Sequence, residues 1–356
     1  MSPFLVMGAD MKLTVKTKSH NYDITIEKGL IKKVGNIVKN FVNENVAFVI
    51  TDDNVWNIYG DKFSSILTDA KVNFEVMILP HGEKTKSISQ LTDIYNKMAE
   101  IKMTRTDYII ALGGGVVGDI AGFAASTFLR GIKFIQIPTT LLAQVDSSVG
   151  GKVAVNLDGG KNLVGSFYQP QAVLIDPDML DTLSERIFND GMAEVIKYAL
   201  IWDKELFSEL EKDDIDIEKI IYTCVDIKRQ VVEEDEFDTG KRMILNFGHT
   251  YGHVVESAYN YETYTHGEGV AIGMARITER TEKMGITKKG TYDKIVNILK
   301  KYDLYFDDYS IDRETATDIM LRDKKSAGGS INYIVLKEIG TCDIMKMNRD
   351  NTFLIE

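Results

Sequence analysis

The chain has only five histidines, and His249, His253 and His266 fall within eighteen residues of one another. The stretch NFGHTYGHVVE carries the first two at a spacing of four, which places both on one face of a helix. H-x-x-x-H is the spacing of ligands in helical zinc sites, although no glutamate follows the first histidine as in H-E-x-x-H. His266 opens HGEGVAIGM, the start of another helical stretch. A carboxylate to join them is Glu194 in GMAEVIKY, three residues before Lys197 on one helix face. Its neighbours Met192, Val195, Ile196 and Ala199 are apolar, so the segment reads as buried, where an uncompensated carboxylate is costly. Two or three imidazole nitrogens with one carboxylate suit Zn²⁺ with an open position, the catalytic pattern. The residues alone leave open which histidines bind, since any one of them is as readily a packed core or surface residue.

A second constellation is glycine-rich. DYIIALGGGVVGDIAGFAAS reads as strand, turn and helix start, with Gly113, Gly115 and Gly118 in G-x-G-x-x-G order. Such glycines admit a tight turn and bring backbone N–H groups close to a pyrophosphate at a helix N-terminus. They serve equally to pack a helix onto a strand. The ribose-binding acid expected about 20 residues further on is missing from IKFIQIPTT. Carboxylates stand instead in TDDN, as Asp52 and Asp53, at the end of the first parallel strand. PHGEKTKS and PTT end two more strands, and ligands of parallel sheets bind at such carboxyl ends. Asp119, just inside the helix, is either part of this crevice or a favourable charge at the helix N-terminus.

The third feature is basic. SSVGGKVAVNLDGGKNLVG places Lys152, Lys161 and Asn162 on glycine-rich loop positions, and Lys197, Lys228, Arg242 and Lys324/Lys325 follow. In a chain of net charge −11, loop lysines beside glycines point to an anionic small molecule, a phosphate or a carboxylate.

The elements that must position these groups are legible in outline. KLTVKTKSHNYDITIEKG alternates apolar and polar residues around a polar turn, as a hairpin does. VAFVI, FEVMIL, DYIIAL, KFIQI and AVLI follow at helix-length intervals, which predicts βαβ units and a mainly parallel sheet. From about Thr182 the periodicity becomes helical, and INYIVL is strand-like near the end. The expectation is an N-terminal α/β Rossmann-like dinucleotide-binding domain over residues 11–180 and a mainly helical metal and substrate domain over 181–356, with the active site in the cleft between them. Residues 1–10 precede a second natural-looking start at Met11 and read as a leader.

Composition narrows the partners. Net negative charge disfavours nucleic acid and anionic membranes. No apolar run reaches the ~20 residues of a membrane span, and the first ten residues lack the basic region of a signal peptide. Cys224 and Cys342 form no CxxC pair, which fits a reducing cytoplasm.

Taken in order, GGGVVGD, FLRGIKFIQIPTTLLAQVDSSVGGK, GMAEVIKY, LNFGHTYGH, HGEGVAIGM and DKK resemble the 3-dehydroquinate synthase family of sugar phosphate cyclases. The resemblance runs from about Met11 to the C-terminus. It implies NAD⁺ and one metal ion, Zn²⁺ or Co²⁺, and a phosphorylated sugar acid as substrate, 3-deoxy-D-arabino-heptulosonate 7-phosphate. It implies that Glu194, His249 and His266 bind the metal, and that His253 instead meets the substrate phosphate and water. Lys152, Asn162, Asn246 and Lys324 or Lys325 would hold the phosphate, Lys228 and Arg242 the carboxylate, Asp146 and Lys197 the ring hydroxyls. His253, Lys152, Lys197, Asp146 and Asn246 would thus carry the chemistry. Arg130 would reach the neighbouring subunit of a homodimer. NAD⁺ would lie against Asp52, Asn54, Gly82, Glu83, Lys84, Gly114, Gly115, Val116, Asp119, Thr139, Thr140, Lys152 and Lys161, with Thr182 and Leu183 nearby. One departure is visible: the family's TLPxRE is TLSERI here, with Ser184 for proline and Ile187 for glutamate.

The implied chemistry is transient oxidation by NAD⁺, β-elimination of phosphate, re-reduction and an intramolecular aldol closure. Three other readings compete. A cyclase whose substrate lacks the carboxylate would have no use for Lys228 and Arg242. A metal-dependent polyol dehydrogenase would need no phosphate cradle. A catalytically dead NAD-binding module would have no reason to keep every ligand and lysine position.

Overall fold

The computed structural model describes residues 11–306, 311, 314–317, 319, 330–348 and 354. The leader at residues 1–10 and the phosphate candidates Lys324 and Lys325 lie outside the described residues. The chain divides into two compact units, Met1–Leu183 and Ser184–Glu356.

The first unit is built on strands β1 (Met11–Lys16), β2 (Asn21–Ile26), β3 (Val46–Asp52), β4 (Asn73–Leu79), β5 (Tyr108–Gly113), β6 (Lys133–Pro138), β7 (Lys152–Leu157), β8 (Gly160–Phe167) and β9 (Ala172–Ile175). Its helices are α1 (Val34–Val42), α2 (Asp53–Asp69), α3 (Ile88–Glu100) and α4 (Gly115–Thr127). Seven strands form one sheet in the order β1-β2-β9-β6-β5-β3-β4. Only the β1–β2 hairpin is antiparallel; the other pairings are parallel. The sheet thus carries the strands predicted from the apolar runs, with the right hairpin at its edge.

Those runs are continuous because both faces of the sheet are covered. Successive residues of β3 point to opposite sides. Phe48 and Ile50 pack with Leu91, Ile94 and Met98 of α3 and Ile120 of α4. Ala47 and Val49 pack with Val34 and Val38 of α1 and Phe63 and Leu67 of α2. The result is a doubly covered α/β layer.

The glycine-rich segment after residue 150 differs from its expectation. It is a β-hairpin, β7 with β8, and not a loop. Lys152 opens β7, and Lys161 and Asn162 lie in β8. Alternation along β7 is real, with Val153 and Val155 buried, but the glycines and polar residues around it mask the strand period.

The second unit holds α5 (Glu185–Ile201), α6 (Lys204–Leu210), α7 (Ile217–Glu234), α8 (His249–Ala258), α9 (His266–Lys283) and α10 (Thr291–Lys301), with an antiparallel pair β10 (Ser330–Glu338) and β11 (Thr341–Asn348). Every residue from Gly191 to Ile201 on α5 is buried, so its last three turns have no solvent face, while its first turn is exposed. No helix among the described residues is long and apolar enough to cross a membrane.

Candidate metal centre

Three helices of the second unit bring Glu194, His249 and His266 together. Each offers one ligand atom, and the three atoms lie within 4.8 Å of one another. Glu194 projects from the buried helix α5 and is itself fully buried. Its Oε1 stands 3.3 Å from His266 Nε2 and 3.7 Å from His249 Nε2. Ligands bound ~2.0–2.1 Å from a tetrahedral ion stand about 3.3–3.4 Å apart, so the two carboxylate–histidine distances already approach those of a loaded site. Two imidazoles and a carboxylate are also a donor set for a zinc-like ion with room for a further ligand. His253 follows His249 on α8 but is not part of the cluster; the two rings meet edge to face, 5.7 Å between centroids.

The histidines reach this point because α8 and α9 cross on glycine. A Cβ on Gly273 would stand 1.9 Å from the carbonyl oxygen of Gly248, and one on Gly252 would stand 2.9 Å from the backbone of Gly269. No side chain fits at that crossing, so the two backbones approach as no other residue would allow. Gly248 itself has φ +81° and turns the chain into α8 from the short 3-10 segment Lys241–Asn246. The start of α9 is held separately. Thr265 and Glu268 form a reciprocal capping box. Arg186 of α5 makes two 2.8 Å hydrogen bonds to the Glu268 carboxylate, and Asp190 accepts from Gly267 N at 2.6 Å. Ser184, where the family has proline, is the N-cap of α5 and accepts from Ile187 N. The TLSERI departure therefore keeps a helix start by other means.

Electrostatics separates the two histidines. Burial holds the His249 imidazole down to about 3. Burial acts the same way on His266, but the Glu194 and Glu256 carboxylates facing its ring outweigh it and raise the group well above its ordinary value. Lys197 donates to Glu194 Oε2 inside the core, with both side chains buried. Arg242 and Lys228 are buried cations of the same unit. Arg242 donates to the carbonyl of Glu236 at 2.6 Å, and Asp235 accepts its backbone N–H at 3.0 Å. Asn246 ends its 3-10 segment and is exposed.

The first unit gathers its candidates at the carboxyl ends of β3, β4, β5 and β6. Asp52 caps α2 through Val55 N, and Asn54 is exposed beside it. Gly114 is the N-cap of α4, and Val116 and Asp119 lie in the first turns. None of the motif's glycines has a left-handed φ; their role is close approach. A Cβ on Gly115 would stand 3.0 Å from Ser147 Oγ, and one on Gly118 would stand 2.7 Å from Gln136 Oε1. Thr139 N donates to Gly113 O at 3.0 Å, tying PTT to the glycine turn, and Thr140 follows at the mouth. Thr182 meets the Tyr59 hydroxyl at 2.8 Å, and Leu183 follows it. Asp146 lies in the turn Ala143–Ser147. Gly82, with φ +94°, leads into the turn carrying Glu83 and Lys84.

Lys84 is exposed, whereas Lys86, two residues on and passed over in the sequence reading, is buried. Lys86 pairs with Asp119 and donates to Asn162 Oδ1. Asn162 N in turn donates to Asn156 Oδ1 at 2.8 Å, and Asn156 Nδ2 to Glu83 Oε1 at 2.7 Å. Glu83, Asn156, Asn162, Lys86 and Asp119 are thus one network. Lys152 and Arg130 are both exposed.

The chain carries a doubly covered, mainly parallel sheet ending in a glycine turn and, in its second unit, a cluster of one buried glutamate and two half-buried histidines. In fold the chain matches a 2-deoxy-scyllo-inosose synthase complexed with carbaglucose-6-phosphate, NAD⁺ and Co²⁺, with TM-score 0.87 at 24% identity over 97% of this chain and 98% of that one. It also matches ValA, a 2-epi-5-epi-valiolone synthase from Streptomyces hygroscopicus with NAD⁺ and Zn²⁺ bound, with TM-score 0.85 at 23% identity over 96% of each chain. Family models described as 3-dehydroquinate synthase N-terminal and C-terminal match residues 76–190 and 191–326. The chain is 52% identical to the 3-dehydroquinate synthase of Clostridium acetobutylicum, covering 96% of this chain and 98% of that one. It is 55% identical to that of Clostridium perfringens, covering 92% and 95%. The chain belongs to the 3-dehydroquinate synthase family.

Proposed function

We propose that the chain is a metal- and NAD-dependent enzyme that converts 3-deoxy-D-arabino-heptulosonate 7-phosphate to 3-dehydroquinate and phosphate, in the shikimate route to aromatic amino acids. The observation that carries this reading is the cluster of buried Glu194 with His249 and His266, with Lys197 against it, in a member of this family. The cofactors named for the two solved synthases support NAD⁺ and a divalent ion here.

When bound, the metal would act as a Lewis acid on adjacent ring hydroxyls, and NAD⁺ would take up and return a hydride. The chain's own residues hold and orient. Glu194, His249 and His266 fit the ion. Lys197, beside Glu194, would meet the ring hydroxyls. Lys228 and Arg242 suit the substrate carboxylate, which favours this substrate over one without that group. His253 lies one turn beyond His249, at hand for the phosphate and its proton traffic. Phosphate leaves by β-elimination, its own oxygen taking the neighbouring carbon's proton. Catalysis by positioning and fixed charge needs few general bases, in keeping with many cations and few histidines.

In the first unit, Asp52, Asn54, Glu83 and Asp119 with the glycine turn suit the cofactor. The Lys86 network adds a buried cation to that set. A cytoplasmic homodimer completes the reading. Leu129 and Arg130 have φ of +49° and +69° ahead of Gly131, an uncommon backbone that holds Arg130 outward, where a partner subunit's site could receive it.

The test is phosphate release from the heptulosonate phosphate by purified protein, with and without a chelator. Release that the chelator stops and zinc or cobalt restores supports the reading. No release from metal-replete protein overturns it.

A further inference from the structure

We propose that Glu256 is the positioning residue for His266, fixing its ring so that Nε2 faces the metal; this rests on the metal reading above. Glu256 is a carboxylate only 1% exposed, in the last turns of α8. Its Oε2 stands 3.5 Å from His266 Nδ1, while Nε2 of the same ring stands 3.3 Å from Glu194 Oε1. The imidazole is therefore bracketed by two buried carboxylates, one at its ligating edge and one at the opposite edge.

A carboxylate in this position must be compensated, because burying an ionised one costs several kcal/mol. The ring N–H of His266 is a donor on its own side of the crossing. The place for Glu256 is made by glycine: a Cβ on Gly269 would stand 3.2 Å from Glu256 Cγ. His249 is oriented by the same logic with a weaker acceptor, its Nδ1 lying 3.1 Å from the carbonyl of Phe247. Both histidines thus face an oxygen at Nδ1, at 3.1 Å for His249 and 3.5 Å for His266, and turn Nε2 toward Glu194. A hydrogen bond at the far nitrogen selects the tautomer, and a charged acceptor also raises the basicity of the ligating nitrogen. Asp190 lies near, but it bonds the backbone N–H of Gly267 and serves the helix start.

The test compares full-length wild type with Glu256→Gln and Glu256→Ala. Zinc affinity is measured by competition with a chromophoric chelator, and the absorption bands of the cobalt-loaded proteins are recorded. Glutamine keeps an acceptor oxygen and the shape but not the charge, so affinity should fall about tenfold; alanine removes the acceptor and should cost up to about a hundredfold. The Gln variant should keep the wild-type melting temperature without metal, while its cobalt bands shift. A purely structural role would move the melting temperature and leave the bands in place, and that result overturns the proposal. So does zinc binding by the Gln variant within about threefold of wild type. Wild type that binds no zinc at all overturns the metal reading itself, and this inference with it.

Discussion

Lys197 Nζ donates to Glu194 Oε2 within one turn of α5, and the other oxygen of the same carboxylate faces His249 and His266. One carboxylate thus balances a buried ammonium on one side and the histidine pair on the other.

Removing the lysine tests that balance. Lys197→Met leaves Glu194 with less compensation in the core, and breaking a buried pair costs about 3–5 kcal/mol. Calorimetry of the metal-free variant should show that loss. Zinc should restore more stability to the variant than to wild type, because the ion supplies the missing positive charge. Equal gains in both proteins would contradict the pairing.

His249 and His253 should part company on substitution. His249→Ala removes a cluster member and should abolish both metal binding and turnover. His253→Ala should retain the metal while slowing turnover by ~10²–10⁴, the range of a lost acid-base group. Metal analysis of the two purified variants decides, and the opposite pattern would reverse the assignment.

The raised pKa of His266 fixes a sign in pH. A group raised in the folded state contributes stability that is full below its unfolded value, near 6.5, and lost as pH rises through the folded value. Metal-free protein should therefore lose stability on going from pH 6 into the alkaline range. Zinc affinity should move the other way, because the ion must displace that proton. Thermal melts of the metal-free protein and chelator competition across the same pH series check both directions.

The glycine crossing predicts an inverted propensity effect. In an ordinary helix interior, Gly→Ala gains about 0.5–1 kcal/mol. Gly273→Ala should instead lose at least 1–3 kcal/mol, since its methyl would meet the Gly248 carbonyl and force α8 from α9. Zinc affinity should fall with it, because His249 and His266 ride on those two helices. Denaturant titration and metal competition measure the two effects.

Sequence reading went furthest where burial is periodic. VAFVI and DYIIAL are continuous apolar runs because β3 and β5 are covered on both faces, and the helical spacing of His249 placed it on α8. It failed where a residue's environment is made by a distant segment. Nothing local separates Lys84 from Lys86; the turn Glu83–Thr85 sends one outward and the other into the sheet end, where Asp119 waits some thirty residues later. Glu256 looks like any acid on an amphipathic helix until Gly269 opens a place for it. The β7–β8 hairpin was hidden because glycine and asparagine, which usually mark loops, here sit within paired strands.

All three members of the Glu-His-His cluster lie beyond residue 183, on the second unit alone. The first unit contributes no atom to that cluster. The coordination geometry is therefore set by the second unit's own packing, while the glycine turn of the first unit answers to close approaches of its own.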